Sequence, residues 1–134
     1  MAIKRIGITD GAMGMAIMSR GVVRGKNVYL CGIVPDPVGN ITAQTGQVLG
    51  KIDEMLLAAG TDKSRLLTAQ IWLSDMAHFS AMNAVWNAWV DPDKPPVRAC
   101  VQAALYRPEI LVEIMVTAVR PGKSVPKGSK PGRS

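Results

Sequence analysis

The chain of 134 residues has one histidine, two cysteines and one phenylalanine, and these scarcities exclude whole classes of chemistry. With His78 as its only histidine and no Gly-x-Ser-x-Gly element, it lacks the parts of a Ser/His/Asp triad. His78 reads as a surface residue in the first turn of a helix. Cys31 and Cys100 form no CxxC or other metal-ligand spacing. Both lie in apolar, strand-like runs, which predicts reduced thiols and a cytoplasmic setting. No apolar run approaches the ~20 residues of a membrane span. Gly7, Asp10, Gly11 and Gly14 interrupt any signal-peptide core near the start. Acids are also few, at 10 against 16 basic residues, for a net charge of +6. Lys123, Lys127, Lys130 and Arg133 supply four of those six charges, in a final stretch of Pro, Gly, Ser and Lys without an acid. Such a segment has too little apolar surface to order itself. The chain is therefore expected to divide into a single domain, 1–120, and a disordered basic tail, 121–134. The small charge left on the body speaks against nucleic acid as a partner.

What is present is a patterned body in which 48% of all residues are apolar. This length suits one domain, small enough to gain from oligomerisation. Ala2 to Ile8 reads as a short edge strand and Met15 to Val23 as a second strand. Arg24-Gly25-Lys26-Asn27 is a tight connection into a central strand, Asn27 to Val34. Gly32 inside that run implies either a bulge or a close approach of a ligand to the backbone. The period then changes. Val48, Ile52, Met55, Leu56 and Ala59 mark one face of a helix over Ile41 to Ala59, with Thr42 or Asn40 as N-cap and Gly60 beyond its end. Gly46 and Gly50 suggest close packing of that helix on a sheet. Leu67, Ala69, Ile71 and Leu73 alternate as a strand. A second helix, Met76 to Val90, follows a Ser74 or Asp75 cap and carries the stripe Phe79, Met82, Trp86, Trp89. The eight methionines read as core filler.

The stretch from Pro95 to Ile114, PPVRACVQAALYRPEILVEI, places two ionisable groups in apolar company. Val97, Ala99 and Val101 alternate with Arg98, Cys100 and Gln102; Val112, Ile114 and Val116 alternate with Glu113 and Thr117. Two half-buried strands joined through Tyr106-Arg107-Pro108-Glu109 suggest a β-hairpin with a charge on the second face of each strand. Arg98 and Glu113 could form a structural ion pair or point into solvent. Alternatively they face a cleft, where a planar guanidinium suits a carboxylate ligand and a carboxylate can activate water. Cys100 follows Arg98 by two, without a histidine to lower its pKa, and reads as a packed thiol.

Pro96-Val97-Arg98-Ala99-Cys100, followed fifteen residues after the arginine by Val112-Glu113-Ile114, resembles the signature of the RidA/YjgF/YER057c family. The resemblance extends from about Ile3 to Arg120. Met82 to Val90, with Val101-Gln102-Ala103, points to the YoaB-like branch. The resemblance implies an α+β, chorismate-mutase-like fold: a mixed six-stranded sheet with two helices on one face, assembled as a homotrimer with ligand sites in the inter-subunit clefts. It also implies hydrolytic deamination of reactive enamines and imines of small carboxylic acids to keto acids and ammonia, of the 2-iminobutanoate/2-iminopropanoate type. No metal or organic cofactor is implied. Arg98 would clamp the substrate carboxylate and Glu113 would position water and shuttle protons. Backbone groups at Gly32 and Cys100 would fix the nitrogen end, with Ala99 and Asn83 also in the binding site. Met18 stands where many members have tyrosine at the mouth of the site, which opens the question of substrate identity. The rival expectations are a non-catalytic trimer binding small carboxylates or a partner, a chorismate-mutase-like enzyme and, from the family's older name, an endoribonuclease.

Overall fold

The computed structural model describes residues 1–122. The proposed disordered tail lies almost wholly beyond them. The described residues form a six-stranded sheet and two α-helices: β1 (Ile3–Ile6), β2 (Gly21–Arg24), β3 (Asn27–Leu30), α1 (Ile41–Ala58), β4 (Leu66–Leu73), α2 (Phe79–Trp89), β5 (Val97–Gln102) and β6 (Val112–Val119). The order across the sheet is β1-β2-β3-β6-β4-β5, with β4 and β5 parallel and every other pair antiparallel. This is the mixed α+β sheet expected.

Local chemistry sets the element ends. The Ala43 N–H donates to Asn40 Oδ1 (2.9 Å), capping α1, and Gly60 takes the left-handed conformation (φ 85°) that stops it. Asp75 caps a short 3-10 turn, Met76–His78, that leads into α2. Gly25 (φ 61°) makes the tight β2–β3 connection. The core lies between the sheet and the helices. Val48, Ile52 and Leu56 of α1 and Met82 of α2 are fully buried, as are Ile71, Leu73 and Ile114 of the sheet. Burying each such side chain contributes roughly 1.5–3 kcal/mol. Gln44 joins this core as a polar member. Its side-chain amide donates to the Glu109 carbonyl (2.8 Å) and accepts from the Leu111 N–H (2.8 Å), fastening α1 to the connection that precedes β6.

Several sequence expectations change. The hairpin does not form: β5 and β6 lie on either side of β4. The unit β4–α2–β5 is strand–helix–strand, which naturally places its strands parallel and adjacent. The nine residues 103–111 then carry the chain across to the far side of β4, where β6 fills the gap beside β3. Residues 15–20 are not strand, and β3 ends at Leu30. Pairing resumes at an isolated Ile33–Ile114 bridge, one residue out of step with the Tyr29–Thr117 register. The irregularity at Cys31-Gly32 is the bulge that a glycine in a strand foretold. Gly46 and Gly50 do not pack on the sheet. Both are exposed, with open space where a Cβ would be.

Candidate functional site

The strand registers decide which side chains can meet. Arg98 pairs with Ala69, which pairs with Val116, and both partners are buried beneath the helices. Arg98 and Cys100 therefore point to the helix side of the sheet. Glu113 pairs with Trp72, which pairs with Val101, in a row on the other side. The two charges face opposite surfaces with β4 between them. A structural ion pair within one chain is excluded, and so is a shared second face. Gln102 shares the helix side with Arg98 and Cys100, opposite the buried Leu73. The more apolar set of β5, Val97 and Val101, is the exposed one (70% and 46%).

Arg98 is half-buried against α2. Its guanidinium lies 5.9 Å from the Phe79 ring centroid and 5.4 Å from that of Trp86, and Nη1 reaches Met82 Sδ at 4.0 Å. Among the described residues no carboxylate pairs with it. The aromatic faces hold the cation by cation–π attraction, and the planar fork keeps nearly all its donors. Asn83 lies on the same helical stripe, four residues after Phe79 and three before Trp86. Its Oδ1 is buried without a hydrogen-bond partner, a costly state for a polar atom unless something fills it. The Ala103 N–H donates to the Leu73 carbonyl (2.9 Å). By strand alternation the main chain of Ala99 and Val101 also turns toward β4, while that of Arg98 and Cys100 turns to the free edge of the sheet. Cys100 thus brings unpaired backbone groups beside the guanidinium, whereas Ala99 presents its side chain to the opposite surface. Burial pushes the Cys100 thiol upward, with Arg98 pulling it part of the way back. That describes a packed thiol and not a thiolate nucleophile.

On the other surface, Glu113 is half-buried without a cationic or hydrogen-bonding side-chain partner among the described residues. Its carboxylate lies directly over Gly32, where a Cβ would overlap Oε2. The glycine is needed because the carboxylate occupies that space. Burial raises the Glu113 pKa above its ordinary value, the shift expected of a carboxylate kept for proton transfer. Met18 is partly exposed and is fixed by Thr9, whose hydroxyl accepts its N–H at 2.9 Å. Among the described residues no cluster of His, Cys, Asp and Glu could hold a metal ion, and no helix is long and apolar enough to cross a membrane.

Residues 13–120 match the family described as Endoribonuclease L-PSP. A RutC family protein of Haemophilus ducreyi is 40% identical over 117 residues, covering 87% of this chain and 95% of that one. The chain belongs to the RidA/YjgF family. The RutC family protein YoaB of Escherichia coli is 38% identical over 97 residues, 72% of this chain and 85% of its own, which supports the YoaB-like placement. Another RidA/YjgF relative, 36% identical over 68% of this chain and 77% of its own, is the 3-aminoacrylate deaminase RutC of Acinetobacter baylyi. The fold agrees. The crystal structure of a YjgF family protein from Neisseria meningitidis superposes with a TM-score of 0.83 at 40% identity, covering 90% of this chain and 97% of that one. Deamination, of 3-aminoacrylate, is thus named for one member of the RidA/YjgF family.

Proposed function

We propose that this protein hydrolyses reactive imines of small carboxylic acids to keto acids and ammonia, at sites built between copies of the chain in a homotrimer. The observation that carries the reading is Arg98: a half-buried, permanently charged fork, braced by Phe79 and Trp86, without a carboxylate of its own. A substrate carboxylate supplies what it lacks, in bidentate geometry. Glu113 of the same chain faces away, so the substrate held by one copy's Arg98 meets another copy's Glu113. The sheet surface around Glu113 favours such an assembly. Tyr29, Met115 and Val101 remain 46%, 41% and 46% exposed on it, an apolar area suited to a subunit contact.

The chemistry is modest. Glu113 accepts a proton from water as its oxygen adds to the C=N carbon, giving a carbinolamine. It then returns the proton to nitrogen and takes up the carbinolamine hydroxyl proton as the C–N bond breaks, so that ammonia and the keto acid leave. In this reading the unpaired Cys100 backbone and the Asn83 side chain hold the nitrogen end. Such imines hydrolyse readily in water, so orientation and one general base suffice. Amino-acid oxidases generating imines in situ provide the test. The protein is expected to accelerate ammonia release at catalytic concentration and to elute as a trimer. No acceleration with any imine, from a folded trimer, would replace hydrolysis with carboxylate binding.

A further inference from the structure

The surface that carries Glu113 also carries cations, and the one nearest to it in register is Arg20. The Arg20 N–H donates to the Ile6 carbonyl (2.8 Å), and its own carbonyl accepts from the Cys31 N–H (2.8 Å), extending the β1–β2–β3 pairing by one residue. Gly21 pairs with the buried Leu30 and faces the helices, so Arg20 faces the other way, with Glu113. Its stem crosses Gly7, where a Cβ would lie 3.0 Å from Arg20 Cβ and Cδ. The surface thus leaves room at one glycine for an arginine stem and at another for a carboxylate. Two strand spacings, about 10 Å, and two residues along, about 7 Å, separate the two backbone positions. Cys31 lies between them, as the cross-strand neighbour of Arg20 and the residue before the Gly32 that Glu113 covers. Burial raises the Cys31 thiol's pKa, Arg20 lowers it and Glu113 raises it, so both charges act on that thiol. Yet Arg20 and Glu113 do not pair, and among the described residues no other carboxylate pairs with the exposed Arg20.

We propose that Arg20 is a second anion-binding residue of the site, selecting ligands with two carboxylates. The inference rests on the imine-hydrolase reading for its chemistry. A neighbour's Arg98 takes the carboxylate next to the C=N carbon, and Arg20, on the chain that provides Glu113, takes the distal one. The substrate class is then the imines of four- and five-carbon dicarboxylic acids. Water adds across the C=N bond and ammonia departs, with no change of oxidation state.

The test compares imines formed in situ from aspartate or glutamate with those from alanine or leucine, and measures binding of succinate against butyrate by calorimetry. The wild type is expected to favour the dicarboxylic member of each pair by at least about tenfold. Arg20→Gln should reduce that preference by about tenfold or more, and Arg20→Lys should restore part of it. A preference that is absent in the wild type, or undiminished in Arg20→Gln, overturns the role of Arg20. If no imine is hydrolysed but an Arg20-dependent succinate preference remains, the anion-binding role stands and the hydrolase reading fails.

Discussion

Arg98→Ala is expected to lower kcat/KM for imine hydrolysis by about a hundred- to ten-thousand-fold while the protein folds normally. Two hydrogen bonds to a charged group are worth about 1.5–3 kcal/mol each, and each 1.4 kcal/mol is a factor of ten. The fold should survive because no acid depends on Arg98 as a partner among the described residues. Its removal gives up stacking on Phe79 and Trp86 without stranding a buried charge. Arg98→Lys should recover only part of the loss, since an ammonium keeps the charge but not the planar fork. Ammonia release, with thermal unfolding as the control for folding, checks both variants. Wild-type kcat/KM in Arg98→Ala would remove the clamp from the mechanism.

Glu113→Gln should be equally damaging through kcat, by about 10²–10⁴-fold, the usual share of a general base. The variant keeps the shape of the side chain over Gly32 and loses only the base. A pH profile gives the sharper readout. The carboxylate must be ionised to accept a proton, so activity rises with pH through an acidic limb. Burial raises this pKa, so the limb lies above the range of an ordinary glutamate and disappears in Glu113→Gln. Stability runs the other way. A folded-state pKa raised above the unfolded one favours the protonated native state, so that contribution is present at low pH and lost as pH rises through the folded pKa. Glu113→Gln should flatten the stability profile in that acidic window. An unchanged acidic limb in the variant would assign it to another group.

Much of this was legible in the residues, for reasons that also mark where legibility ends. Helix signals are local: the Asn40 cap, Gly60 beyond the end, and the Met82–Trp86 stripe each act within a turn or two, so α1 and α2 fell close to their expected limits. Period-two alternation shows which residues share a face, but not which strand lies alongside. That is why β5 and β6 read as a hairpin when β4 lies between them. The faces of β5 mislead for a second reason. An apolar set is ordinarily the buried one, but here Val97 and Val101 lie on the outer surface while Arg98 reaches in over α2. The family signature brought Arg98 and Glu113 forward, but their orientation needed the register. Gly32 stands out in its strand as an anomaly; its cause, a carboxylate from β6, is remote in sequence. Gln44 gave no sign of burial, since nothing local distinguishes it from the exposed polar residues of α1. Nothing in the sequence marks Arg20, because Met15 to Val23 reads as one uninterrupted strand.

The opposed directions of Arg98 and Glu113 also have a genetic meaning. If each site takes its clamp from one copy and its base from another, two separately inactive alleles can rescue each other. Chains lacking only Arg98, assembled with equal numbers lacking only Glu113, would form about a quarter of their sites from the two intact halves, by random pairing in a closed ring. Loss of function at these positions would then be recessive to its counterpart, and the unit of inheritance for activity would be the interface, not the chain.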